Sequence, residues 1–558
     1  MNTETIIITY DGGEQRQTSR GVSLAELLKE MPKRQIAPVA AVVNGKLQEL
    51  DYRLYIDSNI DWLDYNSNGG HRIYKRSLVF LLLAAATELF PEHQLWVSHS
   101  LENGLFCRLK GVPPLDAPEI ELLEKRMREL VLADLPITRH QITREDGASF
   151  FLSQGKTDKA RLVLRRNSPN INLYTFSTGR VSLTEYFFGR LALTSGLLKD
   201  FSLFPFEDGF VLRLPNRSFL GKNERDFSNP RRIQATVNEY GAWVNLLGLS
   251  TTTDLNRVIE NGDFSELVLI AETLQERNLH RIADSIVAEY PKVRLVLIAG
   301  PSSSGKTTFT RRLGIQLRTL GVTPIAISMD DYFHDRDKTP LNEEGKPDFE
   351  GVAAMDMELF NSQLFELIAG KEVLLPRYDF ISGQRAGEGR LCRLGDKQII
   401  IVEGIHALND TITAAISHEH KRKIFISALT QLNLDPYNPI ATSDNRLIRR
   451  MVRDMQFRGL SPADTLEHWE EVRRGEHNNI FPFQEDADYF FNSALIYELP
   501  VLRPYVEAEL AAITPDIPAY LEAKRLLRFI QYFSEAQSDI IPKNSILQEF
   551  LGGSCFET

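Results

Sequence analysis

The 558-residue sequence has few cysteines, no long apolar run and no excess of positive charge. Its three cysteines, Cys107, Cys392 and Cys555, are far apart and form no CxxC pair. This excludes a disulfide framework and a zinc ribbon, and it favours a reducing compartment. The formal net charge of −11 argues against a protein that coats nucleic acid. Tandem repeats and low-complexity tracts are also missing from the sequence.

The most apolar segment, residues 78–90, is too short to span a bilayer and contains Glu88, so it predicts a buried helix. The N-terminus lacks a basic stretch followed by an apolar one, and we therefore expect no signal peptide. Together with the cysteine usage, these features predict a cytoplasmic protein without membrane contact. The content of 43% hydrophobic and 25% charged residues is typical of a globular protein, and the length predicts several domains.

Changes in the hydrophobic pattern divide the chain. The predicted units are a small α/β domain (1–64), an α+β domain (69–230), a helical connector (231–290), an α/β domain (291–530) and a C-terminal tail (531–558). In the first unit, Ser23 is a candidate N-cap and an Asn44-Gly45 turn joins two strands. In the fourth, strands such as VRLVLIAG and KQIIIVEG are continuous apolar runs. Strands of this kind are buried on both faces, which predicts a parallel sheet between helices.

The stretch GPSSSGKT, which begins at Gly300, fits the pattern GxxxxGK[ST] between a predicted strand and a predicted helix. Backbone N–H groups of such a loop surround phosphate oxygens, and the helix adds the positive end of its dipole. Lys306 would contact the β- and γ-phosphates and the Thr307 hydroxyl would ligate Mg²⁺. An NKxD motif is missing, which argues against GTP, so ATP and Mg²⁺ are the predicted cofactors. The predicted ATP contacts of this loop are Gly300, Pro301, Ser302, Ser303, Ser304, Gly305, Lys306, Thr307 and Thr308.

Two carboxylates follow predicted strands of the same unit. Glu403 ends the strand KQIIIVEG, where it would face the nucleotide and hold the Mg²⁺ shell. A solvent-exposed strand end is the alternative. Asp330, in ISMDDYF, is the candidate proton acceptor for the hydroxyl that receives the phosphate. An aspartate that only caps a turn or helix is the alternative.

Four arginines, Arg446, Arg449, Arg450 and Arg453, recur at the spacing of one helix face. A solvated basic face is the ordinary explanation of such a run. Next to a phosphate-binding loop, the favoured explanation is a lid whose arginines neutralise the transferring phosphoryl group. We therefore expect Arg449, Arg450 and Arg453 to contact ATP.

These segments resemble the uridine kinase/phosphoribulokinase family of P-loop kinases over about residues 290–530. GPSSSGKTT is similar to the family's P-loop, ISMDDYF to the segment with its catalytic aspartate, and IIIVEGIHAL to its EGI strand. RYDFISGQR resembles the stretch that lines the nucleoside pocket, and RLIRRMVRD the arginine lid. The resemblance implies an ATP-dependent kinase with Asp330 and Lys306 as catalytic residues. It implies acceptor contacts for Asp331, Tyr332, Glu350, Tyr378 and Arg385.

Two positions depart from the uridine kinase pattern. Glu350 stands where those enzymes typically have a ribose-binding aspartate, and Gly383 where they have a histidine near the pyrimidine. The favoured acceptor is the 5′-hydroxyl of a nucleoside such as uridine or cytidine. Another small hydroxyl compound, such as a sugar phosphate, remains the alternative.

The N-terminal part has a second resemblance. Residues 1–64 look like a TGS domain, and residues 69–230 look like the second additional domain of threonyl-tRNA synthetases. That domain carries an HxxxH metal motif, whereas this chain has His71 followed by Lys75, so we expect neither zinc nor deacylase chemistry.

The resemblances together imply the architecture of long bacterial nucleoside kinases, and we expect a homo-oligomer that acts on a small molecule. A third alternative is RNA contact through the N-terminal modules, with the P-loop domain as an ATP-driven switch. The predicted fold class is thus α/β, with a parallel-sheet kinase domain preceded by a TGS-like α/β domain and an α+β synthetase-editing-like domain.

Overall fold

A computed structural model gives the structure of most of the chain. The described residues are 5–10, 13–31, 36–111, 113–215, 230–341, 345, 347–379, 382–414, 416–430 and 432–556. Within them, no helix is both long enough and apolar enough to cross a membrane.

The first unit is a five-stranded sheet with one helix, in the strand order β2-β1-β5-β3-β4. Its elements are β1 (Thr5–Tyr10), β2 (Gln15–Ser19), α1 (Leu24–Glu30), β3 (Ala40–Val43), β4 (Lys46–Glu49) and β5 (Ser58–Leu63). Ser23 caps α1: its hydroxyl accepts from Glu26 N, and the Glu26 carboxylate accepts from Ser23 N in return. The Asn44-Gly45 turn between β3 and β4 has positive φ at both residues, as a tight hairpin requires. Both local predictions are confirmed.

The second unit packs a long helix against two antiparallel sheets, β11-β12-β7-β6 and β10-β9-β8. Its elements are α2 (Asn68–Leu89), β6 (Gln94–Leu101), β7 (Gly104–Lys110), α3 (Ala117–Leu132), β8 (Ile137–Thr143), α4 (Arg144–Ser153), α5 (Thr157–Leu164), β9 (Asn170–Ser177), β10 (Ser182–Tyr186), β11 (Ser202–Phe206) and β12 (Gly209–Arg213). The run from Leu78 to Ala86 in α2 is buried along its whole length, as its apolar composition predicts.

Three helices, α6 (Arg231–Leu246), α7 (Thr252–Asn261) and α8 (Phe264–Ala288), follow. Buried residues of α8, such as Leu279 and Ile286, share one apolar core with the next domain.

The P-loop domain is built on a five-stranded sheet whose strands are all parallel, in the order β14-β19-β13-β20-β23. Its elements are β13 (Leu295–Ala299), α9 (Lys306–Thr319), β14 (Thr323–Ser328), α10 (Met357–Ile368), β15 (Glu372–Leu375), β16 (Tyr378–Asp379), β17 (Gln384–Arg385), β18 (Arg390–Arg393), β19 (Gln398–Glu403), β20 (Lys421–Ser427), β21 (Asn433–Asp435), β22 (Asn438–Pro439), α11 (Thr442–Phe457), α12 (Pro462–Asn479), β23 (Tyr489–Asn492), α13 (Glu498–Ala512), α14 (Tyr520–Ile530) and α15 (Gln548–Leu551). All five residues of β13 are buried. The predicted parallel sheet is confirmed.

The predicted C-terminal tail belongs to this domain's core. Phe533, Ile546, Leu547 and Phe550 are fully buried in the same apolar cluster as α9 and α11. The apolar side chains of the segment explain this, because their burial removes apolar surface from water. Residues on both sides of position 530 thus contribute to one apolar cluster.

Candidate functional site

The loop between β13 and α9 needs two of its glycines. A Cβ atom at Gly300 would collide with the carbonyl oxygen of Ile426 on the neighbouring strand. Gly305, the N-cap of α9, has a φ of 87°, a left-handed backbone that favours glycine. A Cβ atom there would also lie 2.5 Å from Ile546. Since Gly305 has no side chain, it supplies no side-chain cap to the first N–H groups of α9.

Hydroxyl and ammonium groups inside the loop are positioned to bind an anion. The Oγ atoms of Ser303 and Ser304 are buried, and neither has a hydrogen-bond partner within the described part of the chain. Lys306 Nζ donates to the carbonyl oxygens of Gly300 (2.9 Å) and Pro301 (3.3 Å). Orphaned hydroxyls, a lysine and the positive end of a helix dipole together suit phosphate oxygens. The residues present therefore fit a nucleoside triphosphate.

Glu403 ends β19 and faces Thr307, whose hydroxyl donates to the carboxylate at 3.4 Å. Burial raises the pKa of Glu403 to about 7 against the charge of Lys306, and the carboxylate of Asp330 raises it further. Among the described residues, no group of three or more His, Cys, Asp or Glu side chains could hold a metal ion. The Thr307–Glu403 pair nevertheless fits Mg²⁺, which is usually held by one or two protein oxygens together with substrate phosphates and waters.

Asp330 lies at the same edge of the sheet, in one turn of 3-10 helix (Met329–Tyr332) that follows β14. Strands β14 and β19 are parallel neighbours with Ser328 opposite Glu403, so their carboxyl ends bring Asp330 and Glu403 to one side. Burial raises the pKa of Asp330, whereas the positive charge of Lys306 lowers it. The predicted proton acceptor is thus a partly buried carboxylate within electrostatic range of the loop lysine.

Glu350, predicted at the acceptor pocket, lies beside α12. A Cβ atom at Gly475 would collide with the Glu350 side chain. Burial raises the pKa of Glu350 to about 7; the carboxylate of Glu476 raises it further, Arg450 lowers it, and Asp330 also raises it. The structure therefore brings this residue within electrostatic range of Asp330.

Three of the other predicted acceptor residues brace the segment that carries Asp330. The Asp331 carboxylate accepts from Tyr378 N at 3.1 Å. Arg385 donates to the carbonyl oxygen of Phe333 (3.1 Å) and to the carboxylate of Asp356 (3.2 Å). Burial raises the pKa of Asp331, and the hydrogen bond from Tyr378 N lowers it. These contacts fix the position of the turn that follows β14.

Tyr332, a predicted acceptor contact, has a buried side chain. Its side chain is 1% exposed and packs edge-on against Phe360, with ring centroids 5.1 Å apart. Its hydroxyl donates to Gln363 at 2.8 Å. In a 3-10 turn, successive side chains point about 120° apart, so the turn that presents Asp330 at the sheet edge directs Tyr332 into the core.

Arg449 also has a different role from the predicted one. It is fully buried, and its guanidinium donates to the Glu498 carboxylate (2.5 Å), to Ser303 O (3.3 Å) and to Ser493 O (2.7 Å). The buried carboxylate and the loop carbonyl occupy the donors that a phosphate would need. Arg449 therefore supports the P-loop.

The other two predicted lid arginines lie closer to the site opening. Arg450 donates to the Ser302 hydroxyl at 2.7 Å. Arg453 pairs with Asp454 at 2.9 Å, and its charge is among those that lower the pKa of Asp330. Their contact with ATP stays a prediction.

Sequence reasoning missed two carboxylates that bond to backbone N–H groups of the loop and its helix. Glu476 accepts from Ser302 N at 2.8 Å and is held by both terminal nitrogens of Arg446. Glu549 accepts from Thr308 N at 2.9 Å. No motif marks either glutamate, because each reaches the loop only through tertiary packing from a distant helix.

Comparison with known proteins gives two kinds of relative. The model of the phosphoribulokinase/uridine kinase family matches residues 295–496. A uridine kinase of Deinococcus deserti is 30% identical over 193 residues, which cover 34% of this chain and 83% of that protein. A solved structure of a possible uridine kinase from Bacillus stearothermophilus shares 24% identity, covers 39% of this chain and 98% of that one, and has a TM-score of 0.25.

The N-terminal region matches proteins of another kind. A threonine–tRNA ligase of Symbiobacterium thermophilum is 30% identical over 162 residues, which cover 29% of this chain and 25% of the ligase. The chain thus spans about a quarter of the length of that ligase.

Proposed function

The chain belongs to the phosphoribulokinase/uridine kinase family of P-loop kinases, and on that premise we propose that it transfers the γ-phosphate of ATP to the 5′-hydroxyl of a nucleoside such as uridine or cytidine. The observation that carries the proposal is the cluster formed by Asp330, Glu403, Lys306 and Thr307. Two partly buried carboxylates, a lysine and a hydroxyl meet there at the carboxyl ends of β14 and β19 and the start of α9. This arrangement suits transfer of a phosphoryl group to a hydroxyl.

Each residue of the cluster has a separate task. Mg²⁺, when bound, would supply positive charge that offsets the negative charge of the triphosphate. Thr307 and Glu403 would hold that ion, and Lys306 would turn from its loop carbonyls to the phosphates. Asp330 would orient the acceptor hydroxyl and take its proton, for which a carboxylate with a raised pKa is better matched than an ordinary one. Arg450 and Arg453 would neutralise phosphate charge from the α11 side.

Glu350 and Tyr378 support the proposal of a nucleoside as the acceptor. The partly buried carboxylate of Glu350 would accept a hydrogen bond from a sugar hydroxyl, the role that the aspartate at this position has in the family pattern. Tyr378 is 9% exposed and packs against Phe333, with ring centroids 5.8 Å apart. Arg385 would act indirectly, because it holds the turn that carries Asp330.

One observation favours a second acceptor class, a phosphorylated sugar. Where the family pattern has a histidine, Gly383 leaves a space that Arg336 enters: a Cβ atom at Gly383 would lie 2.9 Å from the guanidinium carbon of Arg336. A guanidinium favours a carboxylate or phosphate over an uncharged pyrimidine. The nucleoside remains the primary proposal because 83% of a uridine kinase is covered by the match.

Acceptor-dependent release of ADP tests the proposal. The purified full-length protein is incubated with Mg-ATP and a panel of nucleosides and sugar phosphates, and Asp330→Asn serves as the matched control. We expect uridine or cytidine to stimulate ADP release strongly in the wild type and weakly in the control. Stimulation by a sugar phosphate alone would replace the nucleoside and keep the mechanism. ATP binding without stimulation by any acceptor would contradict a kinase and favour the ATP-driven switch.

A further inference from the structure

The C-terminal segment, residues 541–556, places a carboxylate on the helix that receives the phosphates. Glu549 accepts a hydrogen bond from Thr308 N at 2.9 Å. Thr308 lies in the first turn of α9, where backbone N–H groups have no partner within the helix. In a P-loop, N–H groups of this region bind phosphate oxygens of the nucleotide. An anionic side chain of the protein thus occupies a donor that a phosphate would use.

The packing of the segment shows that this contact is part of the fold. Ile546 fills the space next to Gly305 that a Cβ atom would otherwise take. Phe550 is fully buried, and the Arg449 guanidinium lies 5.1 Å from its ring centre. Arg449 also donates to a loop carbonyl, so the segment and the P-loop are held by the same side chain. The position of Glu549 is therefore set by buried neighbours on both sides.

The negative charge of Glu549 opposes the binding of a triphosphate at the loop. The charge of Glu549 is one of those that raise the pKa of Glu403, after burial and the carboxylate of Asp330. A triphosphate at the loop would add several negative charges close to Glu549, and like charges at short range repel one another. One N–H group cannot serve both anions at full strength. Either the carboxylate leaves or the phosphate binds weakly.

We propose that Glu549 is an intramolecular competitor of the nucleotide: it occupies the Thr308 N–H group in the free protein, and the C-terminal segment shifts when Mg-ATP binds. The segment would thereby lower the affinity for ATP and couple nucleotide binding to a movement near the end of the chain. The proposal rests on the proposed function for the identity of the nucleotide, and it is independent of the acceptor.

The decisive variant is Glu549→Gln, which removes the charge with little change in volume. We expect the Kd for Mg-ATP, measured by equilibrium titration of the full chain without acceptor, to fall on the order of tenfold. Glu509→Gln, which removes a charge from an exposed position on α13, is the matched control and should leave the Kd unchanged. The thermal midpoint is recorded for all three proteins to confirm that each is folded.

A second measurement follows the segment itself. Cys555 is exposed at its end, Cys107 is buried, and Cys392 is partly exposed and can be replaced by serine. An environment-sensitive fluorophore on Cys555 in the Cys392→Ser background should change its emission with Mg-ATP. The change should be half-maximal at the Kd found by titration, and at a lower Mg-ATP concentration when Glu549→Gln is added.

Three results would overturn the proposal. An unchanged Kd together with a lower thermal midpoint would show that Glu549 only caps α9. A weaker Kd in Glu549→Gln would place the carboxylate in the bound complex. If the emission of the fluorophore on Cys555 does not change when Mg-ATP is added, the segment stays in place. All are measured without acceptor, so they are distinct from a failure of the nucleoside proposal, in which ATP binds but no acceptor stimulates turnover.

Discussion

Helices α2 and α9 begin in different ways: the N-cap of α2 is a serine and the N-cap of α9 is a glycine. Ser67 caps α2, and its hydroxyl accepts from Gly70 N at 3.1 Å. Gly305 at the start of α9 has no side chain to do this. The N–H groups of α9 therefore depend on an anion from elsewhere, whereas the first turn of α2 is completed by its own sequence.

The surroundings of the two helices continue this contrast. The α9 end is surrounded by carboxylates with raised pKa values and by serine hydroxyls that are left unpartnered within the described ranges. Near the start of α2, polar groups are paired across the domain boundary: Arg72 contacts Glu522 (2.5 Å), and Arg525 bridges Glu522 and Asp444 at 2.7 Å each. Buried polar groups without hydrogen-bond partners are typical of a ligand site, whereas paired charges are typical of an interface.

The largest expected effect comes from removing the charge at the start of α9. Lys306→Ala should reduce acceptor-dependent turnover about 1,000-fold or more, because it removes the cation that stabilises charge on the transferring phosphoryl group. Steady-state ADP release measures this. Lys292→Ala, which breaks an exposed pair with Glu419, is the control and should retain turnover. If Lys306→Ala retained turnover, the start of α9 would have only a structural role, as the start of α2 has.

The next effect separates the acceptor side of the site from the nucleotide side. Asp330→Asn should lower kcat about 100-fold or more while the Kd for Mg-ATP stays within about twofold, because only the proton acceptor is lost. Turnover gives the first quantity and equilibrium titration the second. Asp539→Asn, at an exposed position, is the control. Equal kcat values in Asp330→Asn and the wild type would exclude Asp330 as the base.

A pH series tests whether the surroundings of Glu350 raise the pKa of its carboxyl group. Its pKa is about 7 in the folded protein against 4.5 for an ordinary glutamate. Between these values the unfolded chain loses the proton first, so stability falls as pH rises from about 4.5 to about 7 and the loss persists above 7. The thermal midpoint of Glu350→Gln should therefore exceed that of the wild type by roughly 4 °C above pH 7 and match it below pH 4.5. Glu358→Gln, exposed on α10, should show no such pH dependence.

The smallest effect is expected at the start of α2. Ser67→Ala should lower the free energy of unfolding by about 1 kcal/mol, because it removes the cap of α2, and it should leave the Kd for Mg-ATP unchanged. Denaturant unfolding and ATP titration measure the two quantities. A large change in ATP affinity would mean that the two helix starts are coupled through the Arg72–Glu522–Arg525–Asp444 network.

Much of the architecture could be predicted because it depends on local chemistry. The apolar run through Leu78 predicts a buried helix wherever it packs, and continuous strands such as β13 require cover on both faces. The Ser23 cap is set by residues three positions apart. The P-loop follows from its spacing, since the glycines permit the backbone that the N–H groups need.

The roles of individual side chains were harder to predict. Arg449 and Arg450 are adjacent in sequence, but Arg449 is buried under the loop and Arg450 lies at its side. Helical spacing assigns both to a basic surface, and only the positions of Glu498 and Ser302 separate them. Tyr332 was placed in the acceptor pocket by resemblance, whereas the turn directs its ring into the core.

The sequence by itself determined the phosphate loop, the parallel sheet and the carboxylates that follow two of its strands, because each depends on residues within one turn or one strand. The tertiary structure alone decided which distant groups complete the site. Glu476 and Glu549 reach the loop from 174 and 241 residues away along the chain. No pattern of neighbours encodes such contacts, since they arise only when the burial of apolar surface brings separate helices together.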